Sequence, residues 1–130
     1  MKSIPTLIFG LFATVAGAQD ADRGADYFAD HCATCHGLSA VGNGPMAMVL
    51  SAPPSDLTRL SARNGGVFPL SRVTRRIDGT TEVLAHGGAM PLFGLLLEGP
   101  STAILADDGS ETVASQAIAD IAAWLQIQQE

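Results

Sequence analysis

Aromatic residues make up only 5% of this 130-residue chain, charged residues only 15%, and lysine occurs once, at Lys2. With a formal net charge of −6, the chain lacks the basic face that nucleic-acid phosphates require. Cysteine is scarce as well, and two residues cannot make a disulfide-dense scaffold. The sequence has no internal repeat, heptad pattern or low-complexity stretch, which excludes solenoids, coiled coils and polymeric tails. What it has is apolar character: 47% hydrophobic residues, too many for a disordered chain. The length suits one domain, yet few large rings are available to fill its core. The composition leaves room for bulk from outside the polypeptide.

Met1-Lys2 opens the chain with positive charge, and Ile4 to Val15 is apolar apart from Pro5, Thr6, Gly10 and Thr14. Ala16-Gly17-Ala18 then has the small-x-small pattern of a signal-peptidase site, and the chain turns acidic at Asp20. The apolar run is shorter than the roughly 20 residues that cross a hydrocarbon core. No cysteine follows it to carry a lipid anchor. The expectation is a cleaved export signal at 1–18 and one domain over 19–130, located in the periplasm without membrane insertion. That domain carries six arginines, thirteen carboxylates and no lysine, a formal charge of −7. Five of its arginines fall between Arg59 and Arg76, so the middle is basic and both ends are acidic.

The two cysteines sit in Cys32-Ala33-Thr34-Cys35-His36-Gly37. In an oxidising compartment both thiols need an explanation. A thioredoxin-like pair needs a βαβ context that this sequence does not show. A zinc site needs four ligands, and no second Cys/His pair stands at finger spacing. A disulfide across two residues would constrain the unfolded chain only slightly. Covalent haem attachment remains, with both thiols adding to vinyl groups and the adjacent histidine binding iron. Three residues apart on one helical turn, the two sulfurs face the same side and can bridge one porphyrin edge. His36 is then carried across the ring face toward the metal.

Iron needs a sixth ligand or an open site, and the candidates are His31, His86, Met46, Met48 and Met90. His31 precedes Cys32 on the same helix and reads as a solvated residue. Met46 and Met48 read as part of an apolar segment, Met46 to Leu50, packed on the haem. Met90 lies in His86-Gly87-Gly88-Ala89-Met90-Pro91, where two glycines allow close approach to a flat ring and Pro91 stiffens the strap. Met90 is therefore the preferred ligand and His86 the runner-up.

These residues resemble the monohaem class I c-type cytochromes, in particular small periplasmic proteins of bacterial respiratory chains. The resemblance rests on Cys32-Ala33-Thr34-Cys35-His36, Gly44-Pro45, Met90-Pro91, Gly24 and Phe28, and Trp124-Leu125. It spans Asp22 to about Gln128. It implies one covalent haem c, with thioethers at Cys32 and Cys35 and iron held by His36 and Met90. It also implies that the Pro45 carbonyl accepts a hydrogen bond from the His36 ring N–H. The lysine ring that mitochondrial members use for docking has no counterpart here.

The flanking helices agree with an all-α cytochrome c fold, in which N- and C-terminal helices cross and short helices and loops wrap one haem. Gly24, Ala25, Phe28 and Cys32 recur at helical steps over Asp22 to Cys32. Val113, Ala117, Ile118, Ile121, Ala122, Trp124 and Leu125 form a stripe over Glu111 to Gln128, with Ser110 as N-cap. Gly24 would let the two helices approach, with Phe28 and Trp124 packed at the crossing. Shorter helices are expected near Pro45–Leu50 and Ser71–Ile77, and loops at Ser51–Ser55 and Arg63–Gly66. No strand pattern stands out, although Leu95 to Thr112 is long enough for a local excursion such as a small hairpin.

A haem with both axial positions filled changes oxidation state but binds no substrate, so the expected role is one-electron transfer, not enzymatic catalysis. No Ser/His/Asp arrangement suggests a triad. Partners would be periplasmic or membrane-bound redox proteins meeting it in small, transient interfaces. Two alternatives stand beside this role. One is a relay subunit of a dehydrogenase or oxidase, and the other a gas-binding or peroxidase-like haem protein. Arg59, Arg63 and Arg72 are candidates to neutralise haem propionates.

Overall fold

The computed structural model describes residues 18–80, 90–106 and 109–130. The proposed leader to Gly17, the runner-up ligand His86, and Asp107 and Asp108 within the Leu95–Thr112 excursion lie outside them. The first helix, α1 (Ala21–His31), starts at Asp20, whose carboxylate caps the backbone N–H groups of Asp22 and Arg23 at 3.1 Å each. After Cys32 a second short helical turn, α2 (Ala33–His36), runs to Gly37. Two 3-10 turns follow, Pro45–Met48 and Ala62–Asn64, and then α3 (Leu70–Asp78), which stops at Gly79. The expected helix near Pro45–Leu50 is thus a single 3-10 turn.

The C-terminal third differs from expectation in one respect. Residues 111–115 are not the start of the last helix; they form a strand, β2 (Glu111–Ser115), antiparallel to β1 (Ser101–Leu105). Ser115, not Ser110, caps α4 (Gln116–Ile127), its hydroxyl accepting from the Ile118 N–H at 3.3 Å. The reason lies in the side chains. Thr112, Val113 and Ala114 alternate across the strand, burying Ala114 beside buried Ile104 while Val113 faces out. Val113 happens to stand at helical spacing from Ala117, which gives one residue two possible periodicities. The fold is mostly helical, with a small two-stranded sheet added.

The core sits where α1 crosses α4. Gly24 is buried there, and a Cβ at that position would overlap the Asp120 carbonyl of α4. Phe28 is almost fully buried, and its ring lies 4.4 Å from that of Trp124 at 36°. Ile118, Ile121, Ala122 and Leu125 complete the α4 side, while Val73 and Ile77 bring in α3. The expected crossing of the terminal helices is present, with the expected residues at its centre. Among the described residues no helix is long and apolar enough to cross a membrane.

Candidate functional site

Cys32 lies buried at the junction of α1 and α2, its N–H still donating to Phe28 of α1. Its own carbonyl then accepts from Cys35 at 3.1 Å and His36 at 2.9 Å, so Cys32 to His36 is one helical turn hung from the helix crossing. No disulfide joins Cys32 to Cys35, and Cys35 is partly exposed. Burial, reinforced by the neighbouring Cys35, pushes the Cys32 thiol up to about 11.

The chain then folds back over this turn. Gly42 donates to the His36 carbonyl at 2.7 Å and Gly44 to the Cys35 carbonyl at 3.0 Å. Gly44 rests so closely on the turn that a Cβ would run into the backbone of Ala33, Thr34 and Cys35. Leu57 N–H donates to the Ala40 carbonyl at 2.8 Å, which draws residues 54–57 alongside. As a result His36 Nδ1 stands 3.0 Å from the Ser55 carbonyl oxygen.

That contact corrects one expectation. The partner of the His36 ring is Ser55, not Pro45. Pro45 is exposed and opens the 3-10 turn, while its neighbour Gly44 is held by Cys35. The chemistry required of the partner survives the exchange. A backbone carbonyl can only accept, so Nδ1 carries the proton and Nε2 keeps its lone pair for a metal. Burial holds His36 below the usual histidine range, opposed by the Ser55 hydrogen bond.

The Ser55 segment is in turn tied to the end of α4. Gln129 donates through Nε2 to the Leu57 carbonyl at 2.8 Å and accepts from the Ser61 N–H at 2.8 Å. Glu130 N–H donates to the Thr58 carbonyl at 2.9 Å. Asp56 accepts from both the hydroxyl and the N–H of Thr58, at 2.6 and 2.9 Å. The Thr58 hydroxyl, chiefly, holds the Asp56 carboxyl below its ordinary range, with help from Arg63 and Arg59.

Met90 is half-buried against the core. Three residues on, Phe93 N–H donates to the Ile77 carbonyl at 3.0 Å, anchoring the Met90-Pro91-Leu92 strap to the end of α3. His31 closes α1, half-buried, and Arg59, Arg63 and Arg72 are all exposed. Met46 and Met48 are both exposed, Met48 at 95%, together with Leu38 at 75%, Val41 and Val49. Apolar side chains thus stand unburied along the segment that follows the Cys32–His36 turn.

The donor set suits haem c. Two thiols share one helical turn, an imidazole has its Nδ1 proton fixed, and a thioether sits on an anchored strap. Among the described residues no three His, Cys, Asp or Glu side chains converge on a metal, so the zinc reading gains no support. A family model for cytochrome c matches residues 21–128. The chain belongs to the cytochrome c family. Membership carries a covalently bound haem c with its iron, and haem-based electron transfer. No curated protein and no solved structure matches this cytochrome.

Sequence reasoning missed the Ser55 carbonyl and the Gln129 clasp that supports it. A backbone acceptor nineteen residues from its donor has no side-chain signature. Gln129 reads as an ordinary polar helix end.

Proposed function

We propose that this cytochrome is a periplasmic one-electron carrier of the monohaem class I, small bacterial type, exported by cleavage after Ala18. Cys32 and Cys35 would hold the haem through thioethers, and His36 Nε2 and Met90 Sδ would bind its iron. The observation that carries this reading is the His36 Nδ1 contact with the Ser55 carbonyl, which readies Nε2 as a ligand. When bound, haem c supplies a ferric/ferrous couple that changes by one electron. The Ser55 carbonyl, accepting a hydrogen bond from Nδ1–H, holds His36 in the tautomer that leaves Nε2 free to bind iron. Met90 offers a neutral, soft sulfur, which favours the ferrous state and a high potential. Leu38, Val41 and Met46, exposed on the segment after His36, would lower the polarity around the ring in the same direction. No group in this set acts as acid, base or nucleophile, which supports a carrier over an enzyme.

Periplasmic or membrane-bound redox proteins are the partners, and the charge of −7 over residues 19–130 favours a basic patch on them. Raising the salt concentration should slow electron transfer to such a partner, and an unchanged rate would remove the steering argument. The carrier reading itself is tested by redox titration with carbon monoxide present. A reversible one-electron couple with slow, partial carbon monoxide binding is expected. Fast, complete binding would favour the gas-binding or peroxidase-like alternative.

The relay-subunit reading is favoured by a separate feature. Leu92, Leu95 and Leu96 stand exposed at 58%, 87% and 62% within one short segment after Met90. An apolar surface there suits a fixed neighbour. Co-purification with a large partner, abolished by Leu95→Ser, would support that reading.

A further inference from the structure

The helix crossing buries a carboxylate that electron transfer does not use. Asp120 has no solvent exposure, and its Oδ1 accepts from the Asp20 N–H and from Gln116 Nε2, each at 2.8 Å. Its Oδ2 is equally buried and has no hydrogen-bond partner among the described residues. An orphaned carboxylate oxygen in a core is costly, and such sites point to a missing donor. The Arg23 guanidinium is exposed and hydrogen-bonded to the Tyr27 hydroxyl at 3.3 Å, and Tyr27 first, then the Asp120 charge, raises its pKa, but it makes no hydrogen bond to Oδ2. The carboxylates of α1's start, Asp20, which is occupied in capping, and exposed Asp22, have no proton to donate.

The donor next in line is the nitrogen of Gln19. Consecutive backbone nitrogens lie about 3 Å apart, a spacing that a carboxylate can straddle with its two oxygens. We propose that Asp120 is the receptor for the processed N-terminus of this chain. The proposal rests on the reading that export cleaves the Ala18–Gln19 bond. That hydrolysis, by a signal-peptidase type of endoprotease, consumes one water, leaves a carboxylate on Ala18 and frees an α-ammonium on Gln19. The ammonium donates to Oδ2 while the Asp20 N–H keeps Oδ1. Before cleavage Gln19 offers a single neutral amide N–H, and the Ala18 carbonyl is engaged by Gln116 Nε2 at 3.4 Å. Cleavage replaces that arrangement with a charge-assisted pair inside the crossing, so maturation and packing of α1 on α4 are coupled.

The composition supplies an unusually clean test. Lys2 is the only lysine, so in the mature protein the α-amine is the only primary amine an acylating ester can find. The haem-loaded exported protein is taken, its intact mass measured, and the rate of acylation by a succinimidyl ester followed. Asp120→Asn is compared, together with a chain carrying one serine inserted between Gln19 and Asp20, which moves the amine away and leaves Asp120 intact. Haem absorption checks that each is folded. The expected result is acylation about tenfold or more slower in the unaltered protein than in both variants. Equal rates in the unaltered and serine-inserted proteins overturn the pairing. So does loss of ammonia from Gln19 by cyclisation in the native protein, because a paired ammonium cannot attack its own side-chain amide. A mass showing a start other than Gln19 overturns the processing reading instead, and the proposal with it.

Discussion

The α1–α4 crossing and the segments that follow His36 and Met90 are built on opposite terms. In the crossing a glycine lets two backbones meet, Phe28 and Trp124 stack, and apolar side chains are shielded by polypeptide alone. Along Leu38 to Val49 the backbone is held by hydrogen bonds to the Cys32–His36 turn, yet the apolar side chains stay exposed. In one region the apolar side chains are covered by the chain itself, and in the other they stand uncovered beside the haem-attachment turn. The small number of aromatic residues in the chain makes sense on these terms, since the porphyrin contributes the bulk that rings would otherwise provide.

The sharpest way to break that division is to remove the attachment. A Cys32→Ala/Cys35→Ala double variant should carry no covalent haem after denaturation, a complete loss read by haem staining on a gel. Phe28→Ala attacks the other side, and emptying this fully buried site should cost about 3–5 kcal/mol of unfolding free energy. Gly24→Ala drives a methyl group into the Asp120 carbonyl and should cost about 1–3 kcal/mol, with the haem spectrum unchanged. A shift of the haem spectrum as large as the loss of stability would show that crossing and site are not separable.

The smallest effect is expected at Asp56, which steadies the segment carrying Ser55. Its carboxyl is held below the ordinary aspartate value in the folded chain, so its contribution is present above that ordinary value. The contribution disappears as the pH falls through the lower folded value. Asp56→Asn should therefore melt slightly below the unaltered protein at neutral pH, and the gap should close in strong acid. A gap that persists unchanged at low pH would assign the effect to the shape of the side chain.

Much of this was legible in the residues. The Cys32–His36 turn, the Gly24/Phe28/Trp124 crossing and α3 each depend on local spacing, and each stands where spacing puts it. Three features were not legible. A small hairpin was expected within Leu95 to Thr112, but its reach to Ser115 was hidden because Val113 fits both a strand and the helical stripe of α4. The His36 partner depends on the path of the chain over a separation of nineteen residues, which brings Ser55 and not Pro45 to the ring. Asp120 reads as the polar face of a helix and becomes visible only once Gly24 and Asp20 are packed against it.

The claim that carries the account is that His36 and Met90 together hold the iron. The most direct measurement is the absorption spectrum of the purified exported protein, oxidised and then reduced, beside that of Met90→Ala. The account predicts sharp low-spin spectra with a weak red thioether-to-ferric-iron band that vanishes in Met90→Ala while the haem stays attached. A low-spin spectrum without that band in the unaltered protein, or a high-spin one, would contradict it.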